Sequence, residues 1–464
     1  MPFWTYQHLA DVTHGTWLVQ PDDLNAELTG LWHDTREIRK GQAYLAIKGD
    51  NFDGHDFVDK AFEAGAKLAI VQRVPRRLAD RDESSVASPG RQAAGAPKPV
   101  LEVEDTVKAL QDLARAYRDV LKQGGCKVVG IAGSNGKTTT RHLIHHVLTH
   151  AGLKGTQSPK SFNNHLGVPL TLLSGKPQDD FVACEIGTNH PGEIDFLSAI
   201  ARPDIAVITS IGEEHLEFFK TIANVAKEEA SILNHVTPNG MVYVPKGDWD
   251  RYLSKHLVRG DLNIVYGCYE PADDQLSTKV RSMGNHMASN IAIAGALADG
   301  MDISPAMIDE AVRSFDRPSG RGEVLRFGSV TVIHDAYNAN PTSTLAAIDL
   351  LAQADGRKIM VFGDMLELGD RAIDAHRGVG VRAETAGIDH LIAIGELAKH
   401  AAMSVEQIQL DRFDAWTDRT PGDVADLLKP GDTVLLKASR AIGLERLIPA
   451  IERRFGAAQD DQPT

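Results

Sequence analysis

The run Gly130–Thr140, Gly-Ile-Ala-Gly-Ser-Asn-Gly-Lys-Thr-Thr-Thr, constrains this chain more than any other stretch. Lys127–Val129 precedes it and reads as the end of a strand; Arg141–His150 follows and reads as a helix. Strand, glycine-rich turn and helix are the setting of a phosphate-binding loop. Gly133, Ser134, Asn135 and Gly136 can close backbone N–H groups around phosphate oxygens, and the helix N-terminus adds partial positive charge. Lys137 would reach the β- and γ-phosphates, the Thr138 hydroxyl would hold Mg²⁺, and Thr139 carries the loop into the helix. Use of ATP or GTP follows. Gly130 lies one position ahead of the common G-x-x-x-x-G-K-[ST] spacing, where Ile131 stands, so the run matches the variant G-x-x-G-[ST]-x-G-K-T-T. The bland alternative is a glycine-rich turn that only joins strand to helix.

At 464 residues the chain exceeds one ordinary core, and two to four domains are expected. Hydrophobic residues at 42% and charged residues at 24% describe a globular protein. The net charge of −14 argues against general nucleic-acid binding, which needs a basic surface. Cys126, Cys184 and Cys268 lie far apart without a CxxC pair, which fits a reducing cytosol. Met1–His8 carries no basic region followed by an apolar core, so no signal peptide is expected, and no apolar run reaches the length of a membrane span. A cytoplasmic location is the expectation.

Strand and helix patterns alternate along the chain. Strands are expected at Ala43–Ile47, Lys67–Gln72, Val100–Val103, Val128–Ala132, Phe181–Glu185 and Ile205–Ser210, then at Val330–His334, Lys358–Phe362, His390–Ile394 and Thr433–Lys437. Helices are expected at Phe57–Ala64, Val107–Lys122, Arg141–His150, Ile194–Ala201, Ser343–Ala352 and Pro421–Leu428. The polar, small-residue stretch Ala79–Pro99 reads as a surface loop or insertion, and Ala457–Thr464 as a disordered tail. The fold class is α/β with parallel-rich sheets.

Several polar groups fall at the carboxyl ends of these strands, where open α/β sheets bind ligands. Glu185 could hold Mg²⁺ through hard oxygens or cap the next helix. His215, in Ser210–Glu217, could meet metal or phosphate, or be structural. Ser161–Pro169 is a polar loop containing Asn163 and Asn164. His142, His145, His146 and His150 share a helical face that could bind zinc, but with no Cys or acid interleaved the favoured reading is packing under the phosphate loop.

The phosphate loop, Asn163–Pro169, Asn189–Ile194, Asp335–Pro341 and Gly363–Gly369 together resemble the Mur ligase family, over about Thr35 to Arg446. The last two motifs match the branch that adds D-alanyl-D-alanine, rather than those that add alanine, glutamate or a diamino acid. The resemblance implies three domains. Residues 1–105 would bind the UDP end of the substrate through Thr35, Arg36, Asp53, Gly54 and His55. Residues 106–316 would form the central ATP-binding domain, and 317–464 a Rossmann-like domain that closes over it. It implies ATP and two Mg²⁺ ions as cofactors, and UDP-N-acetylmuramoyl-tripeptide and D-Ala-D-Ala as small-molecule substrates of a monomeric enzyme. The tripeptide carboxylate would attack the γ-phosphate, and the dipeptide amine would attack the resulting acyl phosphate.

The same resemblance gives Lys137, Glu185 and His215 catalytic roles, with Thr138 and Glu185 on one Mg²⁺ and Glu185 and His215 on the other. Asn290, Arg321, Asp335 and Asn338 would contact ATP; Asn163, Asn164, Asn189, His190, Lys437, Ser439 and Arg440 would contact substrate. Two departures stand out: Ala438 replaces a glycine, and Met287 an asparagine. A third falls fourteen residues after His215, where these ligases usually carry a lysine that becomes carbamylated and ligates Mg²⁺; this chain has Glu229. Glu229 either replaces the carbamate without CO₂ or is a solvated charge in the run Lys227–Glu229. Other ligases of the superfamily, and a nucleotide-hydrolysing switch, are the competing readings.

Overall fold

The computed structural model describes residues 2–49, 52–73 and 98–457. Most of the expected insertion at 79–99 and nearly all of the expected tail fall outside the described residues. Three sheets organise the chain. The first contains β1 (Thr16–Val19), β2 (Leu31–Trp32), β3 (Ala43–Leu45), β4 (Leu68–Gln72) and β5 (Val100–Val103), in the order β1-β5-β4-β3-β2. Strands β2 to β5 pair in parallel, and β1 joins antiparallel to β5. The second contains β6 (Lys127–Ala132), β7 (Gly155–Gln157), β8 (Phe181–Glu185), β9 (Ile205–Ile208), β10 (Met241–Val244) and β11 (Asn263–Tyr266), in the order β11-β10-β9-β6-β8-β7. The third contains β12 (Glu323–Phe327), β13 (Val330–His334), β14 (Arg357–Gly363), β15 (His390–Ile394), β16 (Gln409–Phe413) and β17 (Asp432–Lys437), in the order β12-β13-β17-β14-β15-β16. It is parallel apart from the antiparallel β12–β13 pair.

Contacts group the chain into two compact units, one of Met1–Gly130, Leu153–Ile186 and Phe196–Ile205, the other of Ile131–Gly152, Gly187–Asp195 and Ala206–Thr464. In the first, Thr106–Gln123 is a helix because its apolar residues Leu110, Leu113, Ala114, Tyr117 and Leu121 recur on one buried face. The Asp105 carboxylate caps it, accepting from the Val107 and Lys108 N–H groups at 2.7 and 2.9 Å. Arg118 on that helix is buried. It donates to the Ala201 carbonyl at 2.9 Å and to Asp204 at 2.7 Å. Asp204 in turn accepts from Val128 N–H at 2.9 Å, which fixes the start of β6 and hence the approach to the phosphate loop.

In the second unit the third sheet is buried on both faces. Val332, Val361, Val434 and Leu436 pack on one side, Ile333, Met360, Phe362 and Leu435 on the other. A sheet covered on both faces shows its strands as short apolar runs rather than alternating ones, which is why β13, β14, β15 and β17 were readable. β12 was not, since Glu323–Phe327 alternates half-buried and exposed positions until Phe327. The phosphate-loop helix begins at Lys137, four residues before the expected start at Arg141. Three threonines in its first turn have poor helix propensity, but all three are buried, and packing overrides propensity. Among the described residues no helix is long and apolar enough to cross a membrane.

Candidate functional site

The glycine-rich turn is fastened from several directions. Gly133 has φ +117°, and a Cβ there would sit 2.4 Å from Thr209 Oγ1; Gly136, at φ +87°, opens the helix Lys137–His150 and would meet Asn290 Oδ1 at 2.6 Å. Only glycine accepts both the left-handed backbone and the absence of space. Ser134 N–H donates to the Ser210 carbonyl at 2.8 Å, and Asn135 N–H to Ser210 Oγ at 3.1 Å. Ser134 Oγ accepts from Gly212 N–H at 2.9 Å. The segment after β9 therefore braces the loop. A second brace comes from Asn340, whose side-chain amide donates to Asn135 Oδ1 at 2.8 Å while its own oxygen caps the helix Pro341–Ala352 through Ser343 N–H at 2.8 Å.

Lys137 bends back over the turn, donating to the carbonyls of Gly133 and Ser134, with Glu214 Oε2 3.6 Å from its ammonium. Thr138 and Thr139 are buried in the first helical turn. Glu229, from the helix Ile222–Ala230, is 0% exposed, and its Oε2 accepts from Gly133 N–H at 2.6 Å. The solvated-charge reading of Glu229 is thereby corrected: helical periodicity turns this member of the acidic run inward, under the phosphate loop. Burial holds its carboxyl well above the usual carboxylate range; the Lys137 ammonium opposes that shift and neighbouring Glu214 adds to it. Glu214 Oε1 and Glu229 Oε1 are both buried, and neither has a hydrogen-bond partner among the described residues. Two carboxylates with orphaned oxygens beside a phosphate loop are hard donors that fit a divalent cation such as Mg²⁺. Sequence reading missed Glu214; its signal was the acid pair Glu213-Glu214 just beyond a strand end.

The neighbouring Glu228 faces elsewhere, accepting from the Gly192 and Ile194 N–H groups at 2.8 Å each. With Glu193, which accepts from Asn189 and His190 N–H at 2.6 and 3.0 Å, it shapes the loop carrying Asn189 and His190. His215 is held by Glu367, Nδ1 to Oε2 at 2.5 Å. Lys437, 2% exposed at the end of β17, pairs with Asp335 at 2.7 Å and donates to the Asn338 carbonyl at 2.9 Å. Tyr337, from the same segment, lies 4.0 Å from the Arg321 guanidinium and 5.4 Å from that of Arg440. Ser439 Oγ accepts from Leu366 N–H at 2.9 Å. An open cavity of about 400 Å³ has Glu213, Asn285, His286, Thr342, Leu345 and Leu350 in its lining, polar and apolar groups in similar measure.

Other expected residues stand in the first unit. Glu185, 1% exposed at the end of β8, accepts from the Asn163 side chain at 3.1 Å. Asn164 Oδ1 accepts from Leu166 and Gly167 N–H at 3.2 and 2.9 Å, at the start of the helix Gly167–Ser174. Arg36 is an exposed partner of Asp34 at 2.6 Å, two residues away and beside Thr35. Asp53 meets His55 Nδ1 at 2.5 Å, and His55 Nε2 accepts from Gln72 N–H at 2.9 Å. Gly54 between them has no room for a side chain, since a Cβ would lie 2.6 Å from Ile47 N. In the second unit, of the four histidines on the phosphate-loop helix, His146 binds the Ala311 carbonyl at 3.0 Å and abuts Phe315, and burial pushes His142 down to about 4, in keeping with a packing face.

Comparison with known proteins bears on all of these segments. Sequence profiles of the Mur ligase family match three stretches: the catalytic-domain profile residues 27–118, the middle-domain profile 131–298 and the glutamate ligase domain profile 320–440. The UDP-N-acetylmuramoyl-tripeptide–D-alanyl-D-alanine ligase of Bacillus subtilis is 32% identical, over 96% of this chain and 97% of its own. MurF from Acinetobacter baumannii has a similar structure, with a TM-score of 0.81 at 27% identity over 97% of this chain and 99% of that one. The MurF ligase from Thermotoga maritima in complex with ADP gives 0.72 at 25% identity, over 92% and 97%. By this similarity, spread over three segments that make a three-domain α/β protein, the chain belongs to the Mur ligase family.

Proposed function

We propose that this protein is an ATP-dependent amide ligase that joins D-alanyl-D-alanine to UDP-N-acetylmuramoyl-tripeptide, forming the pentapeptide precursor of peptidoglycan. Similarity over 96% of the chain to a ligase of that name carries the reading, and the braced phosphate loop gives it a physical basis. A carboxylate must approach a polyphosphate, and two like charges at about 4 Å repel by about 4 kcal/mol at an effective dielectric near 20. Lys137 supplies fixed positive charge at the loop, and the N–H groups of the first helical turn, Lys137 to Thr139, orient the phosphates, those of Ser134 and Asn135 being taken up by Ser210. Mg²⁺ would add the charge neutralisation that such transfers use; Thr138, Glu214 and Glu229 carry oxygens of the kind it takes, and the family resemblance would add Glu185 and His215 as ligands. Asn290 and the cavity beside Thr342 would receive the nucleoside, with Arg321, Asp335 and Asn338 as further ATP contacts.

The tripeptide carboxylate attacks the γ-phosphorus, ADP leaves, and an acyl phosphate remains. The dipeptide amine attacks the acyl carbon, loses a proton, and expels phosphate. In this reading Thr35, Arg36, Asp53, Gly54 and His55 serve the UDP end, and Asn163, Asn164, Asn189, His190, Lys437, Ser439 and Arg440 the peptide ends. The domain limits 1–105, 106–316 and 317–464, a monomeric state and a cytoplasmic location belong to the same proposal. The test is phosphate release from ATP with UDP-N-acetylmuramoyl-tripeptide, with and without D-Ala-D-Ala. Release that requires the dipeptide is expected; equal release without it overturns the reading.

A further inference from the structure

Eight described non-glycine residues have positive φ, and two of them meet each other. His215 has φ +46° and Glu367 φ +61°, and their side chains are in contact at 2.5 Å across a sequence separation of 152 residues. Left-handed backbone is costly for residues of this kind and persists where the surroundings impose it, commonly at functional positions. Here the surroundings are specific. Glu217 N–H donates to the Glu367 carbonyl at 3.0 Å. Gly369, at φ +54°, packs so closely that a Cβ would lie 3.3 Å from Glu217 Cα. Arg371 reaches Glu213 at 3.6 Å. The segment 367–371, beyond β14, thus grips the segment 213–217, beyond β9, along its length.

We propose that Glu367 is a positioning residue for His215, fixing the rotation and tautomer of its imidazole for the ligase reaction. The proposal rests on the function given above and names a residue to which the Gly363–Gly369 motif had lent only family identity. The Glu367 side chain is 49% exposed and that of His215 15%. A half-exposed pair contributes little to stability; what the contact fixes is the orientation of the ring. With Nδ1 against a carboxylate, the neutral ring carries its proton on Nδ1 and leaves the Nε2 lone pair available. Nε2 faces Glu214 Oε2 at 4.0 Å, beyond hydrogen-bond reach, on the side where Lys137 and the phosphate loop lie. A carboxylate behind a functional histidine typically matters by about 10- to 100-fold.

The experiment compares wild type, E367Q, E367A, H215A and the double variant H215A/E367A as full-length proteins. One readout is the ¹⁵N–¹H spectrum of the His215 ring, recorded at increasing pH until its shifts stop changing and assigned by its loss in H215A. The other is dipeptide-dependent phosphate release. The Nδ1–H form is expected in wild type and E367Q, whose amide oxygen still accepts, and movement toward Nε2–H in E367A. E367A should lose about 10- to 100-fold in kcat with little change in KM for ATP, E367Q should recover most of that loss, and E367A should add nothing in the H215A background. The proposal is overturned if E367A leaves the tautomer unchanged, or lowers H215A activity by the factor it lowers wild type. Absence of dipeptide-dependent release from wild type would instead sink the ligase reading, while the spectra would still decide the role of Glu367.

Discussion

At the scale of single residues, the full burial of Glu229 turns the acid that stands where the family resemblance implies a lysine into a testable energy. Glu229→Ala strips the partner from the Gly133 N–H, and an unpaired buried donor costs about 1–3 kcal/mol. Glu229→Gln keeps an acceptor oxygen and the shape, so it should cost less and, at neutral pH, should stabilise the metal-free protein. The sign follows from linkage. The unfolded chain ionises Glu229 near the ordinary value of 4.5, whereas burial keeps the folded group protonated to higher pH. The folded protein then binds more protons, so the contribution of Glu229 is fully present below 4.5 and declines as pH rises toward its folded pKa. Urea denaturation without Mg²⁺ should show wild type falling behind Glu229→Gln as pH rises above about 4.5; parallel curves would contradict it. If the carboxylate replaces a carbamate, added bicarbonate should leave activity unchanged, and a rise would count against the replacement. The sequence disclosed which residue stood at 229 but not that it was buried. The roles of Glu214 and Glu367 are not legible in the sequence, because their partners at Lys137 and His215 are chosen by tertiary contacts and not by spacing.

At the scale of elements, the phosphate loop depends on a helix from the next sheet. Asn340 performs two tasks: its oxygen caps the helix Pro341–Ala352, and its amide holds Asn135. Asn340→Ser retains a capping oxygen and loses the reach to Asn135; Asn340→Ala loses both. The alanine variant should be destabilised by about 0.5–2 kcal/mol, and the serine variant by less. Both should raise KM for ATP to a similar extent, because both release Asn135. Thermal melts and ATP titrations separate the effects; a KM that tracks stability rather than the lost Asn135 contact would contradict the assignment. Buried parallel strands were legible as apolar runs, but Asn340 appeared only as part of a motif, since its bond to Asn135 spans 205 residues. The helix start at Lys137 was misplaced because burial of Thr138, Thr139 and Thr140 outweighs their low propensity.

At the scale of the whole molecule, the three sheets and the three matched family segments point to one enzyme that must bring a nucleotide, a UDP-linked peptide and a dipeptide to one reaction. The α/β class and the order of motifs were readable from residue types in sequence, because glycine turns and apolar runs are local signals. The two compact units were not, because they gather segments from both sides of Gly130, Gly152 and Asp195. The claim that unites these scales is that the bound tripeptide carboxylate becomes an acyl phosphate before the dipeptide arrives. It is tested most directly by labelling that carboxylate with ¹⁸O and collecting the phosphate formed during D-Ala-D-Ala-dependent turnover. Attack on the γ-phosphorus predicts one ¹⁸O atom passed to phosphate for each amide bond made. Phosphate free of label would contradict the account.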